Sequence, residues 1–211
     1  MKLTAIRAQR RATGRVNIEI DGSYAFSLQL ALIAGLKVGQ ELSEEQVAKL
    51  QAADVVEKAY ERSLNYLSYR PRSADELRQY LLRHSVEEQA IGQVLERLRR
   101  ARLIDDGAFA QYWVENREAF RPRGHWLLSG ELRQKGVGRE AIEAALADVD
   151  EAASARRAAE SAMRRYAGRD REGFIKGMMG FLQRRGFPYG LAREATERCW
   201  EAIQPDSESA S

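Results

Sequence analysis

The sequence predicts a mainly α fold in which tandem three-helix repeats form an elongated, curved body behind a small β-rich N-terminal extension. Three observations predict it. Beyond about residue 53, apolar side chains recur three and four apart, in segments punctuated by Pro71, Gly124, Gly136, Gly168 and Gly186. The same stretch matches itself at an offset of 51 residues and again at 50. Before it, apolar and polar residues alternate on either side of an Asp-Gly pair.

The extension, residues 1–53, comes first. Alternation from Val16 to Ile20 resumes through Tyr24, Phe26 and Leu28, and Asp21-Gly22 between them suits positive φ, so a hairpin is expected. Lys2 to Gln9 reads as a third strand, and Leu36 to Leu42 as a short return strand interrupted by Gly39. Ser43 with Gln46, and Asp54 with Glu57, both have capping-box spacing, so a helix is expected to start at each.

The repeats follow. Tyr69-Arg70-Pro71-Arg72 recurs as Phe120-Arg121-Pro122-Arg123, Leu77 and Leu81 fall on Leu128 and Leu132, and Val86 falls on Val137. Ile91, Val94, Leu95 and Leu98 fall on Ile142, Ala145, Leu146 and Val149. In a third copy Met178, Leu182, Gly186 and Phe187 take the places of Leu128, Leu132, Gly136 and Val137. That copy has no Arg-Pro-Arg, and it carries Ala192, Ala195 and Cys199 at apolar positions of its last helix, as suits an end repeat that need not stack onwards. The predicted repeats are residues 54–104, 105–150 and 151–204, with a polar, disordered tail at 205–211.

Composition narrows the function. With 31% charged residues and 8% aromatics, the chain has the balance of helical proteins with long solvated faces. Lys and Arg number 34 against 31 Asp and Glu, so any affinity for anions depends on where the arginines lie rather than on net charge. One cysteine, Cys199, excludes an intramolecular disulfide framework, and His84 and His125 stand in no metal-ligand spacing. No apolar run reaches the roughly 18 residues of a membrane span, and the N-terminus has no signal-peptide pattern, so a cytoplasmic protein is expected. Asp105-Asp106 and Glu87-Glu88 stand where helices start and read as caps, and Gly136-Val137-Gly138 lacks the lysine and spacing of a phosphate loop. No enzyme, metal or cofactor is expected.

The strongest candidates for function are the two Arg-Pro-Arg turns. Proline ends the preceding helix and displays Arg70 and Arg72, then Arg121 and Arg123, at equivalent corners; capping of the preceding helix is the plainer alternative. Arg133 and Lys135, with Arg184 and Arg185, recur at matching places and could extend a basic track for phosphates or an acidic protein surface. Trp113 lies on an apolar stripe and reads as core. Trp126, taken as part of the loop after Arg123, is the aromatic that could stack on a base.

Four ordered motifs give the chain a family resemblance. Arg70-Pro71-Arg72-Ser73 with Glu76-Leu77, Leu103-Ile104-Asp105-Asp106 with Phe109-Ala110, Glu131-Leu132 with Lys135-Gly136, and Phe181-Leu182 with Arg184-Arg185-Gly186-Phe187 resemble the RecX recombination regulators over residues 55–203. The resemblance implies a modulator of the RecA recombinase that lies in the groove of the RecA filament on DNA, most simply as an inhibitor of filament growth, strand exchange and co-protease action in DNA repair and the SOS response. It implies no cofactor and a monomer. Ser85 departs from the pattern, standing where the later copies have Gly136 and Gly186. A rival reading is a nucleic-acid-binding protein whose arginine-lined concave face acts on single- or double-stranded DNA without RecA.

Overall fold

The computed structural model describes residues 1–9 and 14–203. The chain divides into two compact units, Met1–Ile104 and Asp105–Ser211.

Unit 1 opens with an antiparallel sheet in the order β1 (Leu3–Ala8), β2 (Arg15–Ile20), β3 (Ser23–Gln29). Asp21 and Gly22 both have positive φ, 50° and 82°, which gives the hairpin the tight turn whose twist matches its strands. Leu3, Val16, Ile18, Ile20, Phe26, Leu28 and Leu42 form the sheet's own core, against which Val47 and Leu50 pack. The expected return strand at 36–42 is reduced to one bridge, Lys2 to Glu41, because Gly39 turns left-handed (φ 93°) and breaks the extended run. A 3-10 turn at Leu30–Ile33, which no sequence signal indicated, follows β3.

Helix α1 (Glu44–Leu67) starts at the Ser43 capping box: Gln46 N–H donates to Ser43 Oγ at 3.1 Å and Ser43 N–H to Gln46 Oε1 at 2.8 Å. The second expected start, at Asp54, is wrong. α1 runs through it without a break, so the boundary placed at residue 53 falls inside a helix. Asp54 is buried at 4% exposure, and its carboxylate accepts from Arg15 (3.2 and 3.1 Å), from the Gln29 N–H (2.8 Å) and from Lys58 (2.6 Å). What looked like a cap is the joint between sheet and helix. α2 (Ala74–Leu82) and α3 (Glu88–Arg100) complete the first three-helix bundle with the second half of α1, around Ala59, Leu77, Leu81, Ile91, Val94 and Leu98.

Unit 2 holds α4 (Asp106–Phe120), α5 (His125–Gln134), α6 (Arg139–Leu146), α7 (Glu151–Ala162), α8 (Arg171–Arg184) and α9 (Tyr189–Ile203). The caps expected at Asp105 and Glu87 differ: Asp105 accepts the Ala108 N–H at 3.0 Å, whereas Glu87 caps α3 without a side-chain hydrogen bond. Leu77, Leu128 and Met178 are fully buried, as are Leu81, Leu132 and Leu182, so the self-match identifies the core register of all three bundles. In the third, α7 contributes Ala155, Ala158, Ala159 and Ala162 and packs on α9, lined by Ala192, Ala195 and Cys199; Tyr166, Phe174, Met178 and Phe187 supply the bulk. The copy that looks degraded has moved its large residues onto and beside α8. The predicted tail at 205–211 lies outside the described residues.

One turn is built three times. After α2, α5 and α8 the chain reverses through Ser85, Gly136 and Gly186, with φ of 58°, 74° and 85°. The following Val86, Val137 and Phe187 donate back to Leu81, Leu132 and Leu182 at 3.2, 3.1 and 3.2 Å. Ser85 therefore keeps the geometry of its glycine counterparts and bears the strain of a left-handed L-residue.

A basic corner built by two turns

The first Arg-Pro-Arg turn is closed on itself. Arg70 pairs with both oxygens of Glu76, at 3.0 and 2.9 Å, and also donates to the Pro71 carbonyl at 2.8 Å. Arg72 lies 4.0 Å from the ring centre of Tyr66, which stacks on Tyr80 at 4.0 Å, and Tyr80 meets His84 at 4.4 Å. Arg72 Nε is buried without a hydrogen-bond partner among the described residues.

The second turn uses the same three positions with different chemistry. Arg123, Arg117 and Glu131 stand where Arg72, Tyr66 and Tyr80 stand in the first copy. Arg117 Nε donates to Glu131 Oε2 at 2.9 Å, Trp113 Nε1 donates to the same oxygen at 2.7 Å, and Arg123 pairs with Oε1. Trp113 is half-buried and packs against the core cluster of Phe109, Val114 and Leu128, while the Arg117 guanidinium and the Lys135 ammonium lie 4.3 and 4.2 Å from its ring centre. A stack of rings has become a carboxylate gripped by two arginines.

The last repeat closes the corner. The Gly124 N–H donates to the Arg185 carbonyl at 2.9 Å, and Arg185 Nη1 donates to the Pro122 carbonyl at 3.1 Å. A Cβ on Gly124 would overlap the Gly186 carbonyl, and one on Gly186 would stand 2.6 Å from Leu127 Cβ, so both positions require glycine. That is why Gly124 stands where the first copy has its capping Ser73. The start of α5 is served instead by Glu151, which accepts the His125 N–H at 2.7 Å.

Arg121, Arg123 and Arg185 consequently converge. Burial, then Arg117, Arg185 and Arg121, hold the Arg123 guanidinium below its usual range; burial and Arg121 do the same to Arg185. Arg121 is exposed and makes no ion pair among the described residues, since Leu127 occupies the place of Glu76. Arg185 also lies 4.6 Å from the Phe181 ring centre.

Of the residues singled out in the sequence, unit 2 thus gathers Arg121, Arg123, Lys135 and Arg185. Arg133 and Arg184 are exposed on the last turns of α5 and α8 with no ion pair among the described residues. Trp126 is not in a loop: it is the second residue of α5, which begins directly after Gly124, and it is 73% exposed. Sequence reasoning missed Arg117 and the anchoring role of Glu131, although the offset of 51 that pairs them with Tyr66 and Tyr80 was there to be used. Among the described residues no cluster of His, Cys, Asp and Glu suits a metal ion, and no helix is long and apolar enough to cross a membrane.

Comparison with known proteins gives one consistent result. Residues 1–43 match the regulatory protein RecX N-terminal domain, 59–98 the first RecX three-helix domain and 105–146 the second. Regulatory protein RecX of Bacillus pumilus is 30% identical over 211 residues, 98% of this chain and 80% of that one. Its namesake in Halalkalibacterium halodurans is 39% identical over 150 residues, 68% of this chain and 56% of that one. A crystal structure of a regulatory protein RecX superimposes with a TM-score of 0.76 at 33% identity, over 93% of this chain and 98% of the other. RecX from Lactobacillus salivarius shares the fold, with a TM-score of 0.62 at 24% identity over 71% of this chain and 99% of the other.

Proposed function

The chain belongs to the RecX family of regulatory proteins, and from that premise we propose that it binds the RecA recombinase filament and restrains its assembly, ATP hydrolysis, strand exchange and co-protease action. The observation that supports a binding role is the convergence of Arg121, Arg123 and Arg185, with Glu131 holding Arg123 and Arg117 in place. A corner with this excess of positive charge is suited to acidic protein surface or to the phosphates of filament-bound DNA. No covalent step is involved. The protein acts as a cofactor-free monomer in the cytoplasm, by occupying filament surface and bridging subunits, and its effect weakens in salt.

The test measures RecA ATP hydrolysis on single-stranded DNA and strand exchange with the protein at equimolar ratio. Both fall with the native chain and recover when Arg121→Glu and Arg185→Glu are combined. Unchanged ATP hydrolysis and strand exchange with the native chain would sink the reading.

A further inference from the structure

The third repeat does not copy the helix lengths of the other two. α8 begins at Arg171, although the positions matching the first residues of α2 and α5, Ala74 and His125, both fall on Ile175. α9 runs on to Ile203, past Thr196, the counterpart of the Leu146 that ends α6. Asp170 starts the extra turn of α8 by accepting the Gly173 N–H at 3.1 Å, so Arg171 stands on a helix where Arg121 stands in a turn.

These added turns wall a groove. Its volume is about 540 Å³, and a second hollow of about 430 Å³ adjoins it, sharing Arg171 and Ile175. The floor is apolar: Ile175 and Trp200 are half-buried, and Trp200 leans on Phe174 with ring centres 5.3 Å apart. The rims are charged with opposite signs. Arg171 and Lys176 stand on α8, Glu197 and Glu201 on α9, all exposed. Glu172 joins the α8 rim at the smaller hollow and leaves that rim net positive. Arg171, Lys176 and Glu201 make no ion pair among the described residues, and Glu197 meets only Arg193 on its own helix, at 3.4 Å.

A groove between two helices is where a third helix packs, which is how each bundle of this chain is built. The rims decide which helix fits. One that lays an apolar stripe on Ile175 and Trp200 sets one flank against the cations of α8 and the other against the carboxylates of α9. A polyanion is repelled by Glu197 and Glu201, and a polycation by Arg171 and Lys176. We propose that the groove between α8 and α9 is a docking site for an amphipathic helix of a partner protein, acidic along the flank facing α8 and basic along the flank facing α9. It shares no residue with the basic corner proposed to act on RecA, and the test omits RecA, so the two readings can fail separately.

The probe is a synthetic peptide of about 18 residues, roughly five helical turns, with leucines spaced three and four apart, glutamates along one flank and lysines along the other. Two controls keep the leucines and carry lysine on both flanks or glutamate on both. With the full chain, anisotropy of the labelled peptides shows the mixed one bound about tenfold more tightly than either control. In nitrogen-edited NMR spectra the Trp200 indole resonance, assigned from Trp200→Phe, shifts on binding, and those of Trp113 and Trp126 do not. Glu197→Lys with Glu201→Lys makes both rims cationic and moves the preference to the all-glutamate peptide, a switch that loss of folding cannot imitate. Equal affinity for the three peptides, an unmoved Trp200 resonance, or a double variant that still prefers the mixed peptide overturns the proposal. So does a sedimentation dimer that the double variant dissolves, or a mixed peptide that binds only after residues 204–211 are removed, because a second copy or the chain itself would then fill the groove.

Discussion

Arg15 holds both carboxylate oxygens of Asp54, at 3.2 and 3.1 Å, and so ties strand β2 to the middle of α1 across 39 residues of chain. Burial by itself would raise the Asp54 carboxyl, but Arg15, Lys58 and the Gln29 N–H outweigh it and hold the group below the usual carboxylate range. A carboxyl lowered on folding stabilises the native state above its unfolded value, about 3.9, and loses that contribution as pH falls through the folded value. The native chain therefore weakens below about pH 4 in urea titrations, and Asp54→Asn removes this part of the pH dependence. At neutral pH the substitution costs about 3 kcal/mol, because it leaves Arg15 buried without its counter-ion.

Ser85 and Gly136 give opposite signs. Ser85 occupies the left-handed region at φ 58°, so Ser85→Gly relieves strain at the expense of some chain entropy and stabilises unit 1 by about 0.5 kcal/mol. Gly136→Ala introduces the same strain at φ 74° and costs about 1 kcal/mol. Chemical unfolding of both variants checks the pair.

Glu131→Gln leaves Arg117 and Arg123, with side chains only 23% and 27% exposed, without their shared carboxylate. The expected loss is about 2 kcal/mol, and millimolar inorganic phosphate restores part of it by standing in for the missing charge. A variant as stable as the native chain, or indifferent to phosphate, would show that the arginines need no anion there.

Gly124→Ala sets a methyl group against the Gly186 carbonyl, where backbone meets backbone and no side chain can swing away. A loss of about 3 kcal/mol is expected, with protease cleavage appearing near residues 121–124 and 185–186. Gly190→Ala, with open space around it, serves as the control and changes stability by less than about 0.5 kcal/mol.

Much of the fold was legible because repetition supplies its own alignment. Two offsets, 51 and then 50, placed Leu77, Leu128 and Met178 in equivalent core positions without any knowledge of contacts. Asp54 misled because a carboxylate three residues before a glutamate looks the same whether it caps a helix or sits mid-helix, held by a distant Arg15. The candidate site was half legible. Arg121 and Arg123 were found from the turn they share with Arg70 and Arg72, but their junction with Arg185 depends on two glycines 62 residues apart that let backbones touch, and no local pattern records such a meeting. The contrast between a closed and an open turn lay in a single position, Glu76 against Leu127, outside the motif itself.

The contact between Gly124 and Gly186 also limits how the chain can be shortened. Repeat arrays are commonly trimmed unit by unit, each removal subtracting one stability increment. Here a stop placed after the middle repeat would strip the Gly124 amide and the Pro122 carbonyl of their partners and dissolve the basic corner, although every residue of the Arg-Pro-Arg turn would still be encoded. The smallest fragment that keeps the corner has to run from α4 to α9, and the last repeat, which lacks that motif, is as necessary to it as the repeat that carries it.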